Sequence, residues 1–152
     1  MTPAVLRAQV IAERSAWIRK MIFQLKGLPL ESYEVFCSDP RNVAAAESYL
    51  RRCLEALLDL GRHLLAKGFG QAVSEYKEIA RVLKENEILD EEGHLRMVKL
   101  AGYRNRLVHY YQEISNQELY DICNSRLDDI EDLLAVILKW IIDHPDKIER
   151  NL

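Results

Sequence analysis

Apolar residues recur every three or four positions along this chain, and strand-type alternation is absent, so the pattern predicts helices throughout. Ile11, Ile18, Ile22 and Leu25 mark the buried stripe of a first helix over about Pro3 to Lys26, interrupted by Ser15. Gly27 and Pro29 stop it. A short, weaker helix is expected over about Leu30 to Phe36. In "SDPRN", Asp39 can cap a helix, and Pro40 suits its first position because the N–H it lacks is unpaired there anyway. That helix should run to about Lys67 and stop at Gly68. Its residues Ala46, Leu50, Cys53, Leu57, Leu60 and Leu64 step by four and three, which is a bundle seam.

A shorter helix is expected over about Ala72 to Asn86, with Tyr76, Ile79 and Leu83 inward. Asp90 can cap the next, and the two acids after it suit the positive end of a helix. "SNQEL" opens a long final helix over about Asn116 to Asp143. Its seam is Cys123, Leu127, Ile130, Leu134, Ile137 and Ile141, and His144-Pro145 closes it. Long amphipathic helices with short connections predict an all-α fold. The expected architecture is an antiparallel four-helix up-and-down bundle with one or two short extra helices. No repeat or second domain is visible, so residues 1–152 read as a single domain.

Composition narrows the function. At 152 residues the chain can bury a core without disulfides or a structural metal. Its net charge of −3 argues against nucleic-acid binding over the whole surface, so any such contact must be a local patch. Cys37, Cys53 and Cys123 are scattered and odd in number, which fits neither a disulfide framework nor a zinc site. Cys53 and Cys123 lie on apolar stripes and read as reduced core residues. His63, His94, His109 and His144 have no metal-type spacing. Arg7, Glu13 and Arg14 interrupt any signal peptide, and "LLAVILKWII" is too short to span a bilayer. The expected location is the cytoplasm, with no membrane partner.

One segment breaks the pattern. In "KLAGYRNRLVHYYQE", from Lys99 to Glu113, a helical wheel at about 100° per residue puts Ala101 and Val108 on one line with Met97. Leu100, Tyr103 and Leu107 widen the apolar arc. Arg104 falls within that arc, with Tyr111 on the same line. Burying an unpaired guanidinium costs several kcal/mol, so Arg104 needs an anion. One candidate is a carboxylate of another helix, such as an acid of "LDDIEDL". The other is a substrate phosphate in a cleft, which suits guanidinium geometry. His109 can gain and lose a proton near neutral pH, and Asn105, four residues before it, can orient it or contact substrate. From His94 to Gln112 the chain carries Arg96, Lys99, Arg104 and Arg106 and no acid. This is either a solvated basic face or a surface that attracts a polyanion.

The run "RNRLVHYY" places His109 five positions after Arg104, with Tyr111 two further on. This resembles the signature of the HepT-like toxins of the HEPN ribonuclease superfamily. Asn105 fits the polar position after the arginine. The flanking layout is similar over nearly the full length, whereas Arg106 and Tyr110 are off the pattern. The resemblance implies a metal-independent endoribonuclease without a cofactor, acting as a homodimer on RNA. Arg104, Asn105 and His109 would be catalytic. The acid-free basic run itself, apart from the resemblance, offers Arg96, Lys99 and Arg106 as weaker substrate contacts. The resemblance also implies an MNT-type nucleotidyltransferase antitoxin that transfers AMP to Tyr111. Two other readings stand beside it: a non-catalytic helical substrate- or nucleotide-binding partner of a nucleotidyltransferase, and a plain structural bundle with Arg104 paired inside its own subunit.

Overall fold

The computed structural model describes residues 6–109 and 114–149. It is all-helical apart from one short strand pair. The long helices are α1 (Ala8–Lys26), α3 (Pro40–His63), α5 (Glu91–Val108) and α7 (Leu127–Asp143). The shorter ones are α2 (Tyr33–Cys37), α4 (Tyr76–Glu85) and α6 (Asn116–Ser125). A π-turn over Leu64–Gly68 extends α3, and a 3-10 turn, Pro145–Lys147, follows α7.

The helix starts follow local chemistry. Ser32 Oγ accepts from the Val35 N–H at 3.1 Å and starts α2. Asp39 accepts from the Arg41 N–H at 2.9 Å, with Pro40 at the first position of α3. Asp90 accepts from the Gly93 N–H at 2.7 Å, and Glu91 and Glu92 follow in the first turn of α5. Ser115 accepts from the Glu118 N–H at 3.1 Å and starts α6. Each such cap satisfies a donor that the helix itself leaves orphaned.

α3 is the central element: α1, α2, α4, α5, α6 and α7 all pack on it. Its seam residues Leu50, Cys53, Leu57, Leu60 and Leu64 are completely buried. Each large side chain so removed from water contributes about 1.5–3 kcal/mol. The α1 stripe is buried as expected, and Ser15 within it is satisfied, its Oγ donating to the Ile11 carbonyl at 2.7 Å. All three cysteines are reduced. Burial pushes the Cys53 and Cys123 thiols up to about 12. No helix among the described residues is long and apolar enough to cross a membrane.

Three features depart from expectation. The final helix is two helices, α6 and α7, meeting at Arg126. The cause is local competition for backbone carbonyls: Asn124 Nδ2 donates to the Tyr120 carbonyl at 3.1 Å and Ser125 Oγ to the Asp121 carbonyl at 2.6 Å. The predicted seam from Cys123 to Ile141 is nevertheless buried across the break.

At the N-terminal side, Leu6–Arg7 form a strand, β1, parallel to β2 (Ile148–Glu149), pairing Leu6 with Ile148 and Arg7 with Glu149. The Arg7 N–H also donates to His63 Nε2 at 3.2 Å. Burial, helped by the Lys67, Arg7 and Arg14 charges, lowers the His63 pKa below its usual value, in keeping with this accepting role.

Finally, α5 ends at Val108. The His109 backbone turns extended (φ −104°, ψ 98°), and its N–H closes the helix on the Asn105 carbonyl at 3.1 Å. Val108, expected on the buried line, is 38% exposed at the end of α5.

Candidate active site

α5 passes the start of α4 and the α3 face that carries Glu55, Asp59 and Arg62. Between them lies a cleft of about 370 Å³, lined by Arg62, Ser74, Glu75, Tyr76, Lys77, Arg104 and Asn105. Arg104 is on its wall, three-quarters buried. The guanidinium lies over the Tyr76 ring, 4.6 Å from its centroid. Nη1 donates to Asn105 Oδ1 at 3.3 Å. Its nearest carboxylate is Glu55, 3.5 Å from Nε, too long for a good hydrogen bond. Nε is buried without a hydrogen-bond partner.

The acid beside Arg104 therefore comes from α3, not from "LDDIEDL". Glu55 is itself committed to Arg51, at 2.9 Å one helical turn away. The α7 acids approach Arg96 instead: Asp132 at 3.5 Å and Asp129 at 3.8 Å, with Glu92 at 2.6 Å. Arg106 makes a two-pronged pair with Glu118 of α6, at 2.7 and 2.6 Å. Lys99 is exposed on the outer face of α5. The acid-free run of α5 is thus not a uniform basic face, since other helices bring carboxylates to Arg96 and Arg106.

The structure brings Arg104 and Asn105 together in the cleft. His109 is exposed at the end of α5 and does not line the cleft. Tyr111, and with it the expected alignment on Arg104, lies outside the described residues.

Sequence reasoning missed two cleft residues. Tyr76, expected as an inward packer, is half-buried and forms the platform for Arg104. Its hydroxyl pairs with Asp59 Oδ1 at 3.2 Å. Burial, reinforced by Asp59 and opposed by Arg104, raises the phenol pKa above its ordinary value. Arg62 lies against the same ring at 4.8 Å, and no pattern in the sequence marks it.

An all-helical domain with a motif arginine and its neighbouring asparagine on a cationic cleft, and the motif histidine at the helix end, defines a class that the comparisons make specific. A family model described as Ribonuclease HepT-like matches residues 11–137, and the chain belongs to that family. It is 26% identical over 88 residues to the mRNA nuclease HepT of Shewanella oneidensis, a match covering 58% of this chain and 66% of that protein, just under two thirds of its length. Among solved structures, it is similar to a tri-AMPylated Shewanella oneidensis HEPN toxin in complex with MNT antitoxin. The TM-score is 0.78 at 22% identity, over 86% of this chain and 97% of that one. YutE, a cytosolic Bacillus subtilis protein of unknown function, matches with TM-score 0.77 at 16% identity, over 94% of this chain and 95% of that one. These last two likenesses concern the fold.

Proposed function

We propose that the chain is a ribonuclease toxin that cleaves RNA without a metal ion and is silenced by an MNT-type nucleotidyltransferase antitoxin. The observation that carries this reading is the state of Arg104. It is a motif guanidinium on a cleft wall, held by an aromatic face and an amide, with no carboxylate among the described residues within good hydrogen-bond distance. Such a charge suits a phosphate. The family membership and the mRNA nuclease relative support the same reading.

In the proposed reaction the ribose 2′-oxygen attacks the adjacent phosphorus. The 2′-O–P bond forms as the P–O5′ bond breaks, leaving a 2′,3′-cyclic phosphate and a 5′-hydroxyl. One proton leaves the 2′-hydroxyl and one arrives at the 5′-oxygen. His109 carries a proton transfer, and Arg104 holds the phosphate and its developing charge. Asn105, bonded to Nη1, keeps the guanidinium in place. Arg104 lies on α5 and lines the cleft, whereas His109 follows the end of that helix and does not line it, so the proposal includes a homodimer in which two motif copies meet.

The test is expression of the chain alone, with growth and total RNA followed. Wild type should slow growth and degrade RNA, and Arg104→Ala and His109→Ala should each abolish both effects. Equal growth with intact RNA in all three strains sinks the reading.

A second reading is favoured by one observation: His109 does not line the cleft, whereas Arg104 and Asn105 do. A non-catalytic partner that holds a nucleotide on Arg104 would lose ligand binding in Arg104→Ala. It would be unaffected by His109→Ala.

A further inference from the structure

The cleft brings three cations together, Arg62, Lys77 and Arg104. Arg62 and Arg104 stand 4.8 and 4.6 Å from the centre of the same Tyr76 ring, one reaching it from α3 and the other from α5. Two like charges so close repel, and each needs an offset. The ring supplies part through its negative face. α3 supplies the rest with two carboxylates one turn apart, Glu55 at 3.5 Å from Arg104 Nε and Asp59 at 3.3 Å from Arg62 Nη1. Asp59 also fixes the ring through the Tyr76 hydroxyl, and the Ser74 carbonyl accepts from Arg62 Nη2 at 2.9 Å.

The two guanidiniums are thereby both held against one ring. Both remain partly exposed, Arg62 at 38% and Arg104 at 24% of the side chain. Lys77, exposed on the same cleft, adds a third cation, and Glu75 is the one acid among the described lining residues. The first turn of α4 forms part of the wall, and its N-cap residue Glu75 makes no side-chain cap.

We propose that Arg62 and Lys77, which line the cleft with Arg104 around Tyr76, form a second phosphate subsite that holds a neighbouring backbone phosphate of single-stranded RNA. This rests on the ribonuclease reading, with Arg104 taking the scissile phosphate. Arg62 and Lys77 then bind the strand without touching the reacting bond and set which length of RNA is a good substrate. Duplex RNA presents its phosphates on a rigid A-form surface, whereas a single strand can bend its backbone into a cleft of this size.

The test measures binding of 2′-deoxy oligonucleotides, which lack the attacking hydroxyl, to the full chain. A dinucleotide carries one phosphodiester and a tetranucleotide three. Arg62→Gln should weaken the tetranucleotide about tenfold, as loss of a charge-assisted hydrogen bond does. It should also flatten the dependence of log affinity on log salt by about 0.7, and leave the dinucleotide unchanged. Lys77→Gln, at an exposed position, should weaken the tetranucleotide about threefold. This variant carries the test if Arg62→Gln is unstable.

Unchanged tetranucleotide affinity and salt slope in these variants overturns the subsite, as does an equal loss for both lengths. RNA cleavage by the wild-type chain separates the two claims. Intact RNA with Arg62-dependent tetranucleotide binding defeats the ribonuclease reading and leaves the subsite standing. Cleaved RNA with binding indifferent to Arg62 and Lys77 does the reverse.

Discussion

The Arg104 guanidinium lies against the Tyr76 ring, 4.6 Å from its centroid, where α5 passes the first turn of α4. An aromatic face orients a cation without neutralising it, whereas a carboxylate does both. The stack therefore keeps Arg104 aimed and still charged. Glu55, the carboxylate beside it, is drawn away by Arg51.

Glu55 competes with any anion for Arg104. Glu55→Gln should tighten binding of a 2′-deoxy oligonucleotide by about threefold, the size of a weak, partly exposed ion pair. The measurement is a titration at fixed salt. Weaker binding in the variant would instead make Glu55 a residue that positions Arg104.

The Arg106–Glu118 pair joins the end of α5 to the start of α6, the two ends that flank residues 110–113. Hydrogen bonding to Arg106 holds the Glu118 carboxyl below its ordinary 4.5. A depressed carboxylate contributes stability that is present above the unfolded value and lost as pH falls through the folded one. Arg106→Gln should lower stability at neutral pH by up to about 1 kcal/mol, both groups being about a third exposed. Urea unfolding at neutral pH and below the Glu118 pKa checks this. The gap between variant and wild type should close in acid, and a gap that persists assigns the effect to packing.

Glu87 follows α4 with φ 62°, in the left-handed region. Its N–H donates to the Lys84 carbonyl at 2.9 Å, and the Ile88 N–H donates to the Leu83 carbonyl at 2.9 Å, the paired bonds of a Schellman stop. Glycine carries no Cβ penalty there. Glu87→Gly should raise stability by about 0.5–1 kcal/mol, since its greater unfolded-state freedom offsets only part of the relief. A lower thermal midpoint would show that the Glu87 side chain contributes more than its backbone costs.

Tyr111 is the proposed acceptor of AMP. Incubation with an MNT-type antitoxin and ATP should add one or more AMP masses to the wild-type chain and none to Tyr111→Phe. A mass shift that survives in the variant moves the site elsewhere, with Tyr110 the first position to examine.

Much of the fold was legible because its signals are local. Asp39 with Pro40, Asp90 before two acids, and Ser115 three residues before Glu118 each declare a helix start within a few residues. The seams of α1, α3 and α7 are declared by spacing alone. The break at Arg126 was not, because an unbroken apolar seam masked the competing Asn124 and Ser125 side chains. At the candidate site, Arg104 was legible as a charge out of place on an apolar arc. What surrounds it was not. Glu55, Arg62 and Tyr76 reach it from elements 28 to 49 positions away in sequence, and only packing of α3, α4 and α5 brings them together. Tyr76 in particular satisfied the inward pattern of α4, so nothing in its spacing set it apart from an ordinary core aromatic.

The pairing of Leu6 with Ile148 has a consequence for the order of folding. It joins residues from opposite ends of the described chain, so forming it first would close almost the whole polypeptide into one loop for very few hydrogen bonds. Local helices and the contacts of α3 with α1 and α5 return far more for less lost freedom. The strand pair therefore zips up after the helices have docked and is the first part to fray. Hydrogen exchange at the amides that pair β1 with β2 accordingly reports this local opening, while amides around Leu57 exchange only when the whole domain unfolds.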